Sequence, residues 1–281
     1  MAAAIQWTCP ACGQAVMTPF CATCGEEPVT PRDLSLKAAS AKILHALTSI
    51  DARVARTAWC LLRHPGRLTV SWTRGVRKPY VTPFQLFLIA NVLFFALQSL
   101  TGTNIFSSPL ESHLHHQDWS QFAQEHVARR LEREHKTLAE FAPLFDRSVI
   151  LHAKSLIVLM TLPCALLLPL IFLREKRPFM VHVTFALHLY TFLLMLFSVA
   201  LLAATVSSAL GLGGLDTPRV DNVLSVFNLV ACAVYTTLAI GVVYGSSGVT
   251  RIVEAATLTV CVAAIVLGYR FAMFVLTLYS T

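Results

Sequence analysis

Cys9, Cys12, Cys21 and Cys24 form two Cys-x-x-Cys pairs, and a glycine follows each pair, Gly13 and Gly25. Two thiolates from each pair complete a tetrahedral sulfur site for zinc (Zn) at about 2.3 Å, and glycine tolerates the left-handed turn the backbone makes there. The gap between the pairs is eight residues, shorter than the roughly 15–20 of common ribbons. A module this small has almost no core beyond Phe20 and Trp7, so metal has to supply most of its stability. Four sulfur ligands close the coordination sphere, which points to structural zinc and away from catalysis at the metal. The competing assignments are a disulfide pair and a redox site. The charge pattern described below puts this end in the cytoplasm, which argues against disulfides, and no thioredoxin-like pattern surrounds either pair. Residues 1–31 contain no Lys or Arg, and Glu26 and Glu27 follow the last ligand. Nucleic acid binding requires a basic footprint, so the expected partner of the ribbon is a protein.

A second set of chemical groups is embedded in apolar sequence. His182 and His188 are six residues apart, about 9 Å in height and about 120° around a helix, so they do not form a two-ligand metal face alone. No His-Glu-x-x-His motif is present. Asn91 and Gln98 lie seven apart on one face, a polar seam suited to helix pairing. Arg77 and Arg177 stand beside apolar stretches. Polar groups within a membrane are costly and are functional candidates on that ground; the alternative is that they tie helices together. Arg270 is expected to snorkel outward, Glu254 to pair with Arg251 one turn earlier, and Gly241-x-x-x-Gly245 to allow close helix packing. His113, His115, His116 and Asp118 could bind a transition metal, although such clusters are usually solvated.

The elements that must position these groups are membrane spans. The chain of 281 residues is 56% hydrophobic and only 13% charged, with a mean hydropathy of +0.64. A soluble domain has roughly 25% charged residues. Five apolar runs reach the 17–25 residues or so needed to cross a bilayer: Pro83–Leu100, Leu156–Leu173, Val183–Val206, Val223–Val243 and Ile252–Leu278. Pro163 and Pro169 free the carbonyls of Leu159 and Ala165, so the second run is expected to be kinked or broken. The expected fold class is all-α, a polytopic membrane helical bundle of about five spans with a small zinc ribbon over residues 1–28. Residues 29–82 read as amphipathic helices on the cytoplasmic side, and residues 83–281 as the five-span domain with an outer helical loop over 101–153. Within that loop, spacings of three to seven among Trp119, Phe122, Val127, Leu131, Leu138, Phe141 and Phe145 predict one amphipathic helix across Asp118–Phe145.

Charge sets the expected orientation. Fourteen Lys/Arg fall before the first run and in the loops on the same side, against seven on the other side, where nine acids accompany them. Lys/Arg excess marks the cytoplasmic side. The N-terminus is therefore expected inside, the C-terminus outside, and the location an inner membrane crossed several times. Thr30-Pro31-Arg32-Asp33 reads as a helix start for Leu34–Thr48, and a second helix is expected over Ala52–His64. Arg53, Arg56, Arg63 and Arg67 fall within an arc of about 80°, opposite Val54, Ala58, Leu61 and Leu62. Such a helix can lie on anionic headgroups or pack on the protein's own cytoplasmic face.

Two blocks, Leu61–Phe95 and Phe172–Phe192, carry a resemblance. The first contains Pro65, Gly66, Gly75, Arg77, Tyr80 and Pro83; the second contains Arg177, His182, Phe185, His188 and Phe192. In these the chain resembles, over roughly residues 9–200, an uncharacterised bacterial family that joins an N-terminal CxxCG ribbon to several spans. The resemblance implies architecture and brings no activity.

No nucleotide loop, Ser/His/Asp order or paired intramembrane carboxylate appears in the sequence. The expectation is a non-enzymatic accessory, regulatory or scaffold protein. Its alternatives are a small-molecule or ion transporter or channel using the kinked second span with His182, His188 and Asn91, and an enzyme acting on lipid through the histidine pair.

Overall fold

The structure is a computed structural model that describes residues 7–9, 12–18, 20–23, 52–76, 79–102, 105–214 and 217–281. It divides into two compact units, Met1–Arg53 and Val54–Thr281. In the first, strands β1 (Trp7–Thr8) and β2 (Ala15–Val16) pair antiparallel, with Trp7 opposite Val16. Gly13 takes a φ of 74° in the connecting turn, and its N–H donates to the Cys9 carbonyl at 2.8 Å. Cys9, Val16 and Cys21 form the small core, with Trp7 packed on it. Phe20, expected in that core, is 55% exposed; Val16 takes its place because it faces Trp7 across the ladder. Cys24, Gly25 and the helix expected over Leu34–Thr48 lie outside the described residues.

The second unit is all helix. Helix α1 (52–63) turns at Pro65-Gly66 into α2 (Arg67–Thr73). Helix α3 (Pro83–Thr101) starts at a capping box between Thr82 and Gln85, with Pro83 at its first position, where the missing N–H costs nothing. Next come α4 (Leu110–His115), α5 (Ser120–Glu134) and α6 (Leu138–Leu156). A short 3₁₀ turn, Ile157–Met160, leads into α7 (Thr161–Ile171). Finally α8 (Phe179–Ala209), α9 (Pro218–Val243) and α10 (Gly248–Ser280) pack antiparallel in sequence order.

Helices α3, α8, α9 and α10 are each long and apolar enough to cross a membrane, and the bent pair Leu138–Lys154 and Ile157–Ile171 makes a fifth crossing when taken as one span. Their outward faces are as apolar as their inward ones: Val92, Leu166, Val230 and Val260 are all exposed. A solvent of lipid accounts for that, since a water-facing surface does not tolerate apolar patches of this extent. The chain is a multi-pass membrane protein.

The second run differs from its expected form. The helical segment after the break is only Thr161–Ile171, and the bend of 59° falls upstream of Pro163, while Pro169 sits inside α7. Pro163 cannot donate to Leu159, and its ring crowds the preceding turn, which tightens to 3₁₀. One turn before the bend, Tyr269 Oη of α10 donates to the Ala153 carbonyl at 3.0 Å. The two legs run the length of α10, from Phe145 beside Phe274 to Phe172 stacked on Tyr244. The single helix expected across Asp118–Phe145 is likewise divided. His135 has a φ of 52°, and a capping box between Thr137 and Glu140 starts α6 afresh.

Two expectations about small residues are corrected. Gly245 has a φ of 81° and nothing near its missing Cβ, so it ends α9 and packs against no helix. Gly241 makes room for the Arg251 guanidinium, whose Nε donates to the Thr237 carbonyl. Arg251 therefore caps a glycine notch on α9, and Glu254, its expected partner, has one carboxylate oxygen buried with no hydrogen bond among the described residues.

The position that docks α2 is Gly66. It has a φ of 83°, and a Cβ there would lie 2.7 Å from the Ala239 carbonyl oxygen of α9. Gly66→Ala combines a left-handed penalty of about 1–2 kcal/mol with overpacking of about 1–3 kcal/mol. A loss of about 2–4 kcal/mol is expected, measured as a lowered unfolding midpoint of purified protein; unchanged stability would show that α2 does not dock as described.

Candidate metal centre and buried histidine seats

Cys9, Cys12 and Cys21 are brought together. Their sulfurs all lie within 4.8 Å of one another, and the Cys12 and Cys21 sulfurs are 3.5 Å apart. A tetrahedral site with bonds of about 2.3 Å has sulfur–sulfur edges of about 3.8 Å, so the cluster has the dimensions of a thiolate metal site. The hairpin explains how. The Cys9 N–H donates to the Gln14 carbonyl at 2.9 Å, which curls the backbone around the first pair, and Trp7 Nε1 donates to the Thr18 carbonyl at 2.9 Å, which folds the segment leading to Cys21 back on β1. Cys9 and Cys21 are buried and Cys12 is exposed. Among the described residues this is the one group of three or more such side chains that could hold a metal ion.

His182 and His188 do not converge. His182 Nδ1 shares a 2.9 Å hydrogen bond with Tyr244 Oη, at the turn between α9 and α10. Tyr244 is also stacked on Phe172 at 3.8 Å and meets Phe185 edge-on. His188 Nδ1 shares a 2.9 Å hydrogen bond with Thr69 Oγ1 of α2. Thr69 is held there by the Gly66 turn, so the Pro-Gly signal and the second histidine serve one contact. Thr57 Oγ1 accepts from the Val81 N–H at 3.1 Å, and the Cys60 sulfhydryl lies 3.8 Å from Tyr80 Oη, fastening α1 to the segment before α3.

The other candidates separate. Asn91 and Gln98 are buried on α3, and neither amide atom of Gln98 has a partner among the described residues. Arg177 is exposed just before α8, and Arg77 lies outside the described residues. Arg53, Arg56, Arg63 and Arg67 are exposed, whereas Thr57, Cys60 and Leu61 face the bundle; the apolar side of α1 is thus covered by the protein itself. Trp59, between Arg56 and Arg63, is 67% exposed. Arg270 does not snorkel free: Nη2 donates to Ser108 Oγ at 3.1 Å in the segment before α4. Of the histidine cluster, His115 and His116 are exposed, while His113 is buried, its Nδ1 accepting from Trp119 Nε1 at 3.2 Å. Burial, with Arg270 nearby, pushes His113 down to about 4, so its ring is neutral and not a cation.

Tyr244, Thr69 and Tyr269 went unmarked as sites. Their hydroxyls sit in apolar or generic sequence, and only the fold shows which histidine or carbonyl each one meets.

The family model described as "Protein of unknown function (DUF3667)" matches residues 51–95. The stretch is α1, α2 and most of α3, the part that docks through Gly66 and Thr69. The cysteine pairs and the block Phe172–Phe192 lie outside the match. No curated protein and no solved structure matches the chain.

The histidine seats predict a specific pattern. Intramembrane hydrogen bonds average about 0.6 kcal/mol, so Thr69→Val and His188→Leu should show a coupling of that size in a double-mutant cycle. His188→Gln should keep the bond, insert stably and complement a deletion strain. A stable Gln variant with a null phenotype would make His188 a working site.

Proposed function

We propose that the chain is a non-enzymatic accessory or regulatory protein of a bacterial inner membrane, with its N-terminus in the cytoplasm and Thr281 outside. The ribbon holds one structural zinc through Cys9, Cys12, Cys21 and Cys24 and docks an unidentified protein partner; nucleic acid is not its target. The observation that carries the reading is the clustering of three thiols on a hairpin with almost no apolar core. Such a hairpin needs a metal to stay folded. The exposed arginines Arg53, Arg56, Arg63 and Arg67 add contact with anionic headgroups, each worth about 1 kcal/mol near a charged surface, and exposed Trp59 fits the headgroup level.

The buried polar groups support an accessory role over catalysis. His182 pairs with the Tyr244 hydroxyl and the Arg177 backbone, His188 pairs with the Thr69 hydroxyl, and neither is hydrogen-bonded to a carboxylate among the described residues. The transporter or channel reading draws on the break at Ile157–Met160, since broken spans line substrate sites in transporters. Against it, the Tyr269 hydroxyl reaches from α10 to this break and donates to the Ala153 carbonyl beside it.

Two measurements check these assignments. Elemental analysis under reducing conditions should find one zinc per chain, and Cys21→Ala should release it while helical content and the membrane domain's melting stay unchanged. Metal-free wild type would end the zinc assignment. A reporter fused after Thr281 should be active only in an external compartment; a cytoplasmic signal there, with the N-terminus inside, would overturn the odd number of crossings.

A further inference from the structure

An arginine-lined groove lies at the far end of α10 from the Tyr244 turn, and none of the assignments above uses it. On α5, His126, Arg129, Arg130 and Arg133 recur at i, i+3, i+4 and i+7, which puts all four on one helix face. Together with Glu134 and Tyr279, from the last turn of α10, they line a cleft of about 220 Å³. We propose that this cleft binds the phosphate of an anionic lipid headgroup.

Charge is the first argument. The lining holds three arginines and one carboxylate. Glu134 is shared between Arg130 at 2.7 Å and Lys136 at 2.8 Å, and Lys136 first, then Arg130, holds it below the usual carboxylate range. Arg129 meets Glu125 at 3.2 Å with both side chains more than 60% exposed, a pair worth little in water. Arg133 is exposed and has no ion pair among the described residues. The groove therefore keeps an excess of guanidinium, whose planar fork suits phosphate oxygens.

Depth is the second. Helix α10 has 33 residues, about 50 Å, against a hydrocarbon core of about 30 Å. Its last turn reaches the interfacial layer, where tyrosine is enriched, and Tyr279 is 58% exposed there. Ala123 and Val127, about a quarter-turn round α5 from the cationic face, turn inward, and Phe122 rests on Phe271, two turns down α10. The cationic face is left open at the level of lipid phosphates. The His126 ring is fixed in the wall, stacked on Phe122 at 3.8 Å, with Nδ1 at 2.9 Å from the Phe122 carbonyl oxygen.

The test is lipid retention by the intact, delipidated protein, read by native mass spectrometry. Phosphatidic acid, phosphatidylglycerol and phosphatidylcholine are added singly, with glycerol 3-phosphate and inorganic phosphate as soluble arms. Wild type should retain the two anionic lipids in preference to phosphatidylcholine. The double variant Arg129→Gln/Arg133→Gln should weaken that retention roughly thirtyfold, from about 1 kcal/mol per cation, with an unchanged melting temperature. Arg56→Gln/Arg63→Gln on α1 should leave retention at this site unaltered. Should the double variant fail to fold, Arg133→Gln alone, at an exposed position, should weaken retention about fivefold. Equal retention of all three lipids, no loss in the α5 variants, or an equal loss in the α1 control would overturn the proposal. Competition by glycerol 3-phosphate or inorganic phosphate at lipid-like concentrations would assign the site to a soluble phosphate and overturn the lipid assignment.

Discussion

Hydrocarbon offers no water to a stray polar group, and most of the membrane domain can be read as the consequence. Each histidine deep in the bundle has a named hydroxyl: His188 has Thr69, His182 has Tyr244, and His152 has Thr277 at 3.0 Å. The main chain obeys the same constraint. Beside the bend in the second span, Tyr269 crosses from α10 to donate to the Ala153 carbonyl. Where a guanidinium meets α9, Gly241 yields the space and Thr237 supplies a carbonyl. These ties are individually weak. What they fix is which helix faces which, because moving any helix leaves a polar group unpaired at a cost of several kcal/mol. The Gln98 amide, the Tyr190 hydroxyl, the Asn228 amide oxygen and one Glu254 carboxylate oxygen, buried and without a hydrogen bond among the described residues, are exceptions to that accounting.

The matched stretch, residues 51–95, gains a physical meaning from this. Its polar and glycine positions are those through which the N-terminal helices grip the bundle. Gly66 touches α9 through its backbone, Thr69 reaches α8, Thr57 anchors the chain at Val81, and the Thr82–Gln85 box starts α3. The partners supplied by α8 and α9 are generic enough to vary. A hydroxyl can pair with any imidazole at the right height, whereas only glycine at position 66 allows both the positive φ and the approach to Ala239.

Much of the architecture was legible because membrane physics writes it in long words. Runs of 18 or more apolar residues, a Thr-Pro start and a Pro-Gly turn are visible without a structure, and they located α3, α8, α9, α10 and the α1–α2 turn. Legibility failed where one residue type serves two purposes. Gly241 and Gly245 share the spacing of a packing motif, yet one admits an arginine and the other ends a helix. The prolines of the second run announced a break without saying which turn would give way, because each removes one donor and leaves the place of the bend to the packing around it. His188 and Thr69 are 119 positions apart, and nothing local in either sequence names the other. The cysteine spacing was the most readable signal, since metal geometry leaves few ways to arrange two such pairs; its supporting core was misread because Val16, within β2, pairs with Trp7 across the ladder while Phe20 lies beyond the strand and is exposed.

The two ends of the bundle are built on opposite electrostatic plans. At the Tyr244 end, Arg53, Arg56, Arg63 and Arg67 stand out from a helix whose apolar side is already covered, so their charge is offered to whatever surface lies beyond. At the Tyr279 end, cations are matched by acids along α5, with Glu125 and Glu134 drawn to Arg129 and Arg130. On the face over Tyr279, Arg133 is left without an ion pair among the described residues. An evenly basic surface attracts any anionic membrane through counterions and distance alone. A largely paired surface with one excess cation in a groove does so far less, since the field of its pairs cancels over short distances and salt screens the rest within a Debye length of about 8 Å. Whatever the first end does by attraction, the second can do only by fit.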